Sequence, residues 1–349
     1  MSTKIAKLWI TGLLVNLAAV VALAEAPHHS PFIDPAAIQG DFQFFAPVDI
    51  DVYGTPRPGN TGWFGTYDRM HIWLSRPKNE ASRTEGDFTW GNRYDIGYMT
   101  EDNEGWFASI MHIDGPLAFD ISVVDRGETI QPDGGDNPVL FDPDLKLRNS
   151  ENWANYSNVE LNKVIRLRPL HKGGILEPFF GVRLSEYDHH DIQEVFTPSM
   201  GGANELLDTD LTNIKNMMIG GQLGIRGYRR TNRWILSGEV RMFGLQNFQS
   251  AVYTQSQISD VAGGIGTDSG TAVQMHTRIY DHEAEFVFGG EVRAEAAYEI
   301  TRDVAVRVGA EIIHFGRGVG RGFGRNGIYT PSDEDVTAFG LTFGFVVNR

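Results

Sequence analysis

The segment "SEYDHHDIQE" concentrates side chains suited to chemistry, at a point where a strand-like pattern runs into a long polar stretch. Its candidates are Asp188, His189, His190, Asp191 and Glu194. Histidine and carboxylate groups ligate metals, and an Asp–His pair could activate a water molecule for hydrolysis. Adjacent side chains of an extended chain point to opposite sides, so only one of the two histidines could join a given site. We interpret the segment as a hydrated acidic loop, with a metal or hydrolytic site as the alternative.

A second acidic segment, "QPDGGDNPVLFDPDLK", carries Asp133, Asp136, Asp142 and Asp144. Calcium favours such oxygen ligands, but the spacing lacks the glycine and terminal glutamate positions of an EF-hand loop. We therefore assign no metal ligand here, and a divalent-ion site stays open as an alternative.

The glycine-rich segment "GRGVGRGFGR" has Gly-x-Gly spacing, which precedes a helix in a nucleotide site. No helical pattern follows it, so a nucleotide site is not expected. Its arginines, Arg317, Arg321 and Arg325, could instead bind anions or lipopolysaccharide phosphates. The chain has no cysteine and no nucleophile-elbow motif. We predict that the protein is not an enzyme, needs no cofactor, and has no catalytic, cofactor-binding or metal-binding residues.

The composition favours an exported, acidic protein. The net charge of the 349 residues is −15, which argues against a nucleic-acid binder, because such proteins need clustered Lys and Arg. Residues 1–24 combine a positive start at Lys4 and Lys7, an apolar core and a small-residue cleavage site after Ala24, or alternatively after Ala26. This pattern predicts a secretory signal peptide rather than a membrane anchor. We predict a flexible leader over residues 25–60 and a folded domain over residues 61–349.

Alternation of apolar and polar residues with a period of two predicts about ten strands, with roughly eight to twelve possible. The predicted strands are 63–75, 93–99, 105–113, 157–168, 176–186, 218–229, 233–246, 286–299, 304–315 and 337–348. Short turns such as "TEDNE", "RTN" and "ITRD" alternate with long connections. This alternation is typical of outer-membrane β-barrels, which have short periplasmic turns and long extracellular loops. The predicted fold is all-β, a single antiparallel transmembrane β-barrel.

Most predicted strands have one apolar face and one face that carries Glu and Arg. A water-soluble sheet would pack its apolar face against a second layer, whereas a membrane barrel turns it to lipid and the charged face to the lumen. Charges in a closed lumen must pair to offset their desolvation. The predicted lumen network consists of Glu160, Arg166, Glu177, Arg183, Arg226, Glu239, Arg241, Glu291, Arg293, Glu295, Arg307 and Glu311. Lys163 lies on an apolar face, and the first strand gives no clear choice of face.

Several segments, taken in order, resemble a known family. They are "TGWFGTYDRMHIWLS", "GNRYDIGYMTEDNEGWFASIMHI", "NVELNKVIRL" with "LEPFFGVRLSEYD", "GGQLGIRGYRRTNRWILSGEVRMFGL" and "TAFGLTFGF". They resemble the outer-membrane β-barrel porin family of the planctomycete type. The resemblance implies a secreted protein of a Gram-negative-type envelope, embedded in the outer membrane, and no catalytic or cofactor residues. Such barrels often end on an aromatic residue, whereas this chain ends Val346-Val347-Asn348-Arg349.

Three functional hypotheses follow. The first is a structural or narrow porin-like barrel, whose lumen would be largely filled at about ten strands. The second is a surface binding or adhesion protein that uses the long loops. The third is a hydrolase at the barrel rim near Asp188. The expected partners are outer-membrane lipid, the barrel-assembly machinery and small solutes or surface ligands, but not nucleic acid. The last strand should turn its phenylalanines to lipid and pair with the first strand.

Overall fold

A computed structural model of the chain describes residues 59–75, 86–115, 125–126, 147–170, 173–197, 205–260, 272–323 and 331–348. The predicted signal peptide and nearly all of the predicted leader lie outside these residues. So do the four aspartates of the second acidic segment and Arg325. Within the described residues, no helix has the length and apolar character needed to cross a membrane.

The described residues form one antiparallel sheet of eleven strands. The strands are β1 (Gly62–Ser75), β2 (Gly86–Met99), β3 (Glu104–Ile113), β4 (Asp125–Arg126), β5 (Leu147–Ile165), β6 (Gly174–Thr197), β7 (Glu205–Thr231), β8 (Trp234–Asp260), β9 (Ala272–Glu299), β10 (Val304–Phe323) and β11 (Pro331–Asn348). Ten of them follow one another around the sheet, and pairing of β3 with β5 closes it. The short β4 adds to the far end of β5. The prediction of a closed, ten-stranded antiparallel barrel is confirmed.

The first and last long strands form the seam of the barrel. They pair from Phe64 with Asn348 to Leu74 with Ala338. The outward side chains of β11 include Phe339, Phe343 and Phe345, each between 41% and 46% exposed. The closing strand therefore pairs with the first strand and turns its phenylalanines outward, as its alternation predicted.

Large apolar side chains cover the outside of the barrel in a continuous belt. In β10 the belt runs from Val306 to Ile312, and in β6 it includes Phe180 and Val182. The ten strands that close the barrel each have at least 10 residues, and about 9–11 residues suffice for a tilted strand to cross a bilayer. Trp63 pairs with Tyr98, and Trp234 with Tyr298, with ring centroids 5.1 Å apart in both cases, beside the short turns. Aromatic residues at this level mark the boundary of the membrane.

Two cations interrupt the belt. Lys163 lies near the short turns, where its Nζ atom is 2.7 Å from Glu104 Oε2 and 5.2 Å from the centre of the Trp106 ring. Arg69 lies deeper, because it is opposite Phe343, the middle of the five outward residues from Phe339 to Val347. Its Nη1 donates to Asn92 Oδ1 at 2.9 Å, and its guanidinium lies 5.2 Å from the Trp90 ring centre.

The inside of the barrel is filled in layers. On the side of the long connections, apolar side chains such as Met70, Ile72, Met218 and Phe315 form a buried cluster. Towards the short turns, a smaller apolar cluster includes Phe107 and Phe179. The charged side chains lie between and beside these clusters. The apolar layer was not predicted, since both faces of its strands carry large apolar residues in the sequence.

The strands extend well beyond their predicted ends on the side of the long connections. β6 continues to Thr197 and β10 to Phe323, so "SEYDHHDIQE" and most of "GRGVGRGFGR" belong to strands and not to loops. The prediction of loops there was wrong. Above the membrane both faces of a strand meet water or polar neighbours, so the alternation that signals a strand in the sequence fades.

Candidate functional site in the barrel lumen

Alternation along the strands places the charged residues of the sequence inside the barrel. Each inward position is separated from the next by one outward residue, because successive side chains point to opposite faces. All twelve residues of the predicted network lie on this inner side. Those that are less than 9% exposed are Glu160, Glu177, Arg183, Glu239, Arg241, Glu291, Arg293 and Glu311.

Glu291 of β9 is the centre of the network. Its carboxylate lies 3.1 Å from Arg183, 3.3 Å from Arg293, 3.5 Å from Arg241 and 3.6 Å from Arg93. These arginines come from four different strands, so one carboxylate joins opposite walls of the barrel. An arginine can donate several hydrogen bonds from a planar group, which suits this shared contact.

Arg183 of β6 fills the lumen next to this centre. Its Nη2 donates to the hydroxyl of Tyr156 at 2.8 Å, and its Nε donates to Ser185 Oγ at 3.2 Å. The guanidinium also stacks over Phe243, 4.3 Å from the ring centre. The side chain is 0% exposed, so these contacts replace its hydration and hold it in one orientation.

A second group of contacts surrounds Glu160 of β5. Arg241 Nη1 donates to its Oε2 at 2.5 Å, and Gln222 Nε2 donates to the same oxygen at 2.7 Å. Asn158 Nδ2 donates to its Oε1 at 2.5 Å. Arg241 also pairs with Glu239. The side-chain amides of Gln222 and Asn158 donate to the remaining lone pairs of the Glu160 carboxylate, because a buried charge requires hydrogen-bond partners.

Three members of the network, Asp68, Arg93 and Asp95, are not among the twelve predicted residues. Arg307 Nε donates to Asp68 Oδ1 at 2.7 Å, and Arg93 Nη1 donates to Glu311 Oε2 at 2.6 Å. Asp95 lies 3.8 Å from Arg307 and 3.9 Å from Arg293. The alternation in β2 did place Arg93 and Asp95 opposite its aromatic face. In β1 the alternation of apolar and polar residues does not identify the inner face, because Arg69 and His71 make the outer face as polar as the inner one.

The network continues to the short-turn end of the barrel. Arg166 Nε donates to Glu177 Oε1 at 2.8 Å, and the hydroxyl of Tyr228 donates to the same oxygen at 3.2 Å. Arg226 is held more loosely, with its Nε 3.5 Å from Glu239 and 3.8 Å from Glu177. Glu295 lies 3.3 Å from Arg307 and 3.8 Å from Arg293.

At the opposite end of the lumen, part of β10 bends inward. Its recorded pairing with β9 ends at Phe315, and its pairing with β11 shifts register beyond that residue. Gly318 has a φ of 108°, which favours glycine. Its carbonyl accepts from Asn247 Nδ2 at 2.8 Å, and the Gly320 amide donates to Asn216 Oδ1 at 2.7 Å. Side chains of β7 and β8 thus hold β10 over the lumen.

The residues of "SEYDHHDIQE" do not form one site. His189 and Asp191 point inward and are buried, at 1% and 9% exposure, respectively. Asp188 and His190 lie on the outer side, beyond the apolar belt, where His190 stacks on Trp153 with centroids 4.8 Å apart. Burial raises the pKa of Asp188 to about 6 and lowers the pKa of His190. Among the described residues, no cluster of three metal-ligating side chains is found.

The lumen therefore consists of paired charges with an apolar layer above them. Arg93, Arg183, Arg241 and Glu291 have side chains that are at most 2% exposed. Closely paired charges of both signs leave little net field for a solute of either sign. A closed barrel with an apolar outside and a polar inside is the form in which β-sheets cross membranes, because closure pairs every strand edge. The chain is an outer-membrane β-barrel protein.

A comparison with solved structures finds outer-membrane barrels at low sequence identity. The crystal structure of the outer membrane protease OmpT from Escherichia coli is 9% identical, with a TM-score of 0.48, and the match covers 84% of this chain and 99% of that chain. Neisserial surface protein A is 11% identical, with a TM-score of 0.28, over 84% and 100% of the two chains. The Pseudomonas putida toluene transporter TodX is 9% identical, with a TM-score of 0.27, over 88% and 97%. We carry over no residue or activity from them.

No model of a known protein family matches the sequence, and no curated protein sequence matches it either. The assignment of the fold class therefore rests on the geometry of the barrel.

Proposed function

We propose that the protein is a structural outer-membrane barrel whose lumen is sealed by its own side chains, so that any conduction is narrow and requires the seal to move. The observation that supports this function is the Glu291 centre, where arginines from four strands meet one carboxylate within 3.6 Å. Opening a path there would separate buried ion pairs, and breaking one costs about 3–5 kcal/mol.

Conductance in planar lipid bilayers tests this proposal. Protein that migrates as a folded barrel in unheated gels is expected to show no steady open channel. The matched variant replaces Arg183 and Glu291 together by alanine, which removes both charges and the bulk that fills the centre. This variant should conduct more than the natural chain. A large, steady conductance of the natural chain would contradict a sealed lumen.

A second function, surface binding, has separate support. β7 and β8 are 27 residues long and β9 is 28, whereas about 9–11 residues suffice to cross the membrane. The excess forms a sheet above the membrane that could hold a surface ligand. An amine-reactive probe that does not cross membranes should label Lys215, which lies on this extension, in intact cells. Labelling only after permeabilisation would contradict a surface position of the extension.

We propose no catalytic role. The separation of Asp188 from His189 by the barrel wall argues against a dyad formed by neighbours in the sequence, so the rim hydrolase is the weakest of the three hypotheses. The resemblance to planctomycete-type porins, the signal peptide and assembly by the barrel-assembly machinery are further proposals. They are consistent with a barrel that must reach an outer membrane. Detection of the processed chain in the outer-membrane fraction would test the signal peptide, and loss of the chain from that fraction on depletion of the assembly machinery would test the assembly route.

A further inference from the structure

The short-turn end of the lumen encloses a cavity of about 160 Å³. A single water needs only roughly 10–15 Å³, so the cavity has room for a small solute. Its lining reaches Asn60 and Asn348, beside the first and last residues of the barrel wall, so it lies at the periplasmic mouth. The cavity adjoins the Glu291 centre, because Arg241 and Arg293 contribute to both, and it requires no open pore.

Positive side chains predominate around this cavity. The lining contains six arginines and four carboxylates. The arginines are Arg166, Arg226, Arg230, Arg241, Arg293 and Arg307. The excess exists partly because Arg241 and Arg307 also pair with Glu160 and Asp68, which do not line the cavity. The mouth is thus more positive than the lumen as a whole.

Among the interior arginines with described ion pairs, Arg226 has the most freedom to bind a ligand. Its side chain is 24% exposed, whereas the six other interior arginines with described ion pairs are at most 8% exposed. Its nearest carboxylates are already engaged, since Glu177 accepts from Arg166 and Glu239 pairs with Arg241. The ring of Phe107, 4.9 Å from the guanidinium carbon, supports its planar face. Its donors are therefore held in place and not saturated.

Other donors at the cavity also lack acceptors. Among the described residues, the buried Nε atoms of Arg226, Arg241 and Arg293 have no hydrogen-bond acceptor, whereas two lining carboxylates, Asp95 and Glu295, each have one oxygen without a donor. Planar guanidinium donors match the paired oxygens of a carboxylate or phosphate. We propose that the periplasmic mouth of the barrel binds a small oxyanion, a carboxylate or phosphate, with Arg226 as its main ligand.

Binding of inorganic phosphate, and separately of succinate, to the refolded full chain in detergent tests the proposal by titration calorimetry. We expect a dissociation constant on the order of 1 mM that rises with salt. Arg226→Gln should weaken binding about tenfold, the loss of one charge-assisted contact. Lys163→Gln removes a charge from the outer wall near the same turns and should leave binding unchanged. Binding of phosphate alone, or of succinate alone, would identify which oxyanion the mouth accepts.

Absence of binding, or equal binding by the natural chain and Arg226→Gln, would overturn the proposal. An equal loss in Lys163→Gln would also overturn it, because the effect would then be one of overall charge. If Arg226→Gln does not refold, phenylglyoxal modification of the natural chain replaces it. Phosphate should protect Arg226 from modification, as mapped by mass spectrometry, and unprotected reaction there would contradict the site.

Discussion

Replacement of Arg69 by leucine should stabilise the barrel. Arg69 is opposite Phe343 at the middle of the apolar belt, so its guanidinium lies in the hydrocarbon region of the membrane. The described contacts that compensate for this position are Asn92 at 2.9 Å and the Trp90 ring at 5.2 Å. None of the described side chains forms a recorded ion pair with it.

The expected gain follows from four terms. An arginine that faces lipid at the midplane costs about 2–4 kcal/mol. The hydrogen bond to Asn92 and the cation–π contact with Trp90 each offset roughly 1 kcal/mol. A leucine adds a favourable transfer to lipid of about 0.5 kcal/mol. We therefore expect Arg69→Leu to raise the free energy of unfolding by about 1–2 kcal/mol, the middle of the resulting range.

Guanidinium unfolding of the barrel in phosphocholine vesicles, followed by tryptophan fluorescence, measures this change. Lys163→Leu is the matched control, since Lys163 lies near the membrane boundary and pairs with Glu104. Its effect should be within about 1 kcal/mol of zero. If Arg69→Leu destabilises the barrel, Arg69 does not face lipid alone, and a partner in the membrane would have to be sought.

Other substitutions test the lumen and the extension. Glu291→Ala should lower the free energy of unfolding by about 3–5 kcal/mol in the same titration, because it leaves buried arginines without their shared carboxylate; a loss below about 1 kcal/mol would contradict its central role. In Gly344→Ala the new Cβ would lie 2.1 Å from the Tyr67 carbonyl oxygen, so the seam must shift. The folded fraction in unheated gels should therefore fall. Gly290→Ala is the control, because its new Cβ has a nearest contact of 3.4 Å and the variant should fold normally. Because the pKa of Asp188 is raised from 3.8 to about 6, its stabilising contribution is complete below pH 3.8 and is lost as the pH rises through about 6. Asp188→Asn should flatten the pH dependence of stability in that window, and an unchanged slope would show that Asp188 is not its source.

The sequence predicted the membrane part of the fold well, because lipid imposes one simple rule on it. Outward residues such as Phe343 and inward residues such as Arg307 alternate without exception along β10 and β11 in the belt. Short turns and the pairing of the last strand with the first follow from closure of the barrel. The lumen residues could be assigned to a face for the same reason.

Three features could not be predicted from local pattern. The partners within the network, such as Arg93 with Glu311, are far apart in the sequence and depend on the register of the closed barrel. The inward bend of β10 depends on side chains of other strands, including Asn216 and Asn247. The strand extensions carry polar residues on both faces, which gives them the composition of a loop.

The unequal strand lengths give the barrel an oblique rim. β3 ends soon after the belt, at Ile113, whereas Asp260 lies twelve residues beyond Phe248, the last large exposed apolar residue of β8. At about 3.3 Å per residue and a tilt near 40°, this places Asp260 roughly 30 Å above Phe248. Among the described residues, the strand wall therefore extends further beyond the membrane on the side of β7 to β9 than on the side of β1 to β3, so a ligand that binds to the wall itself has a one-sided surface to contact.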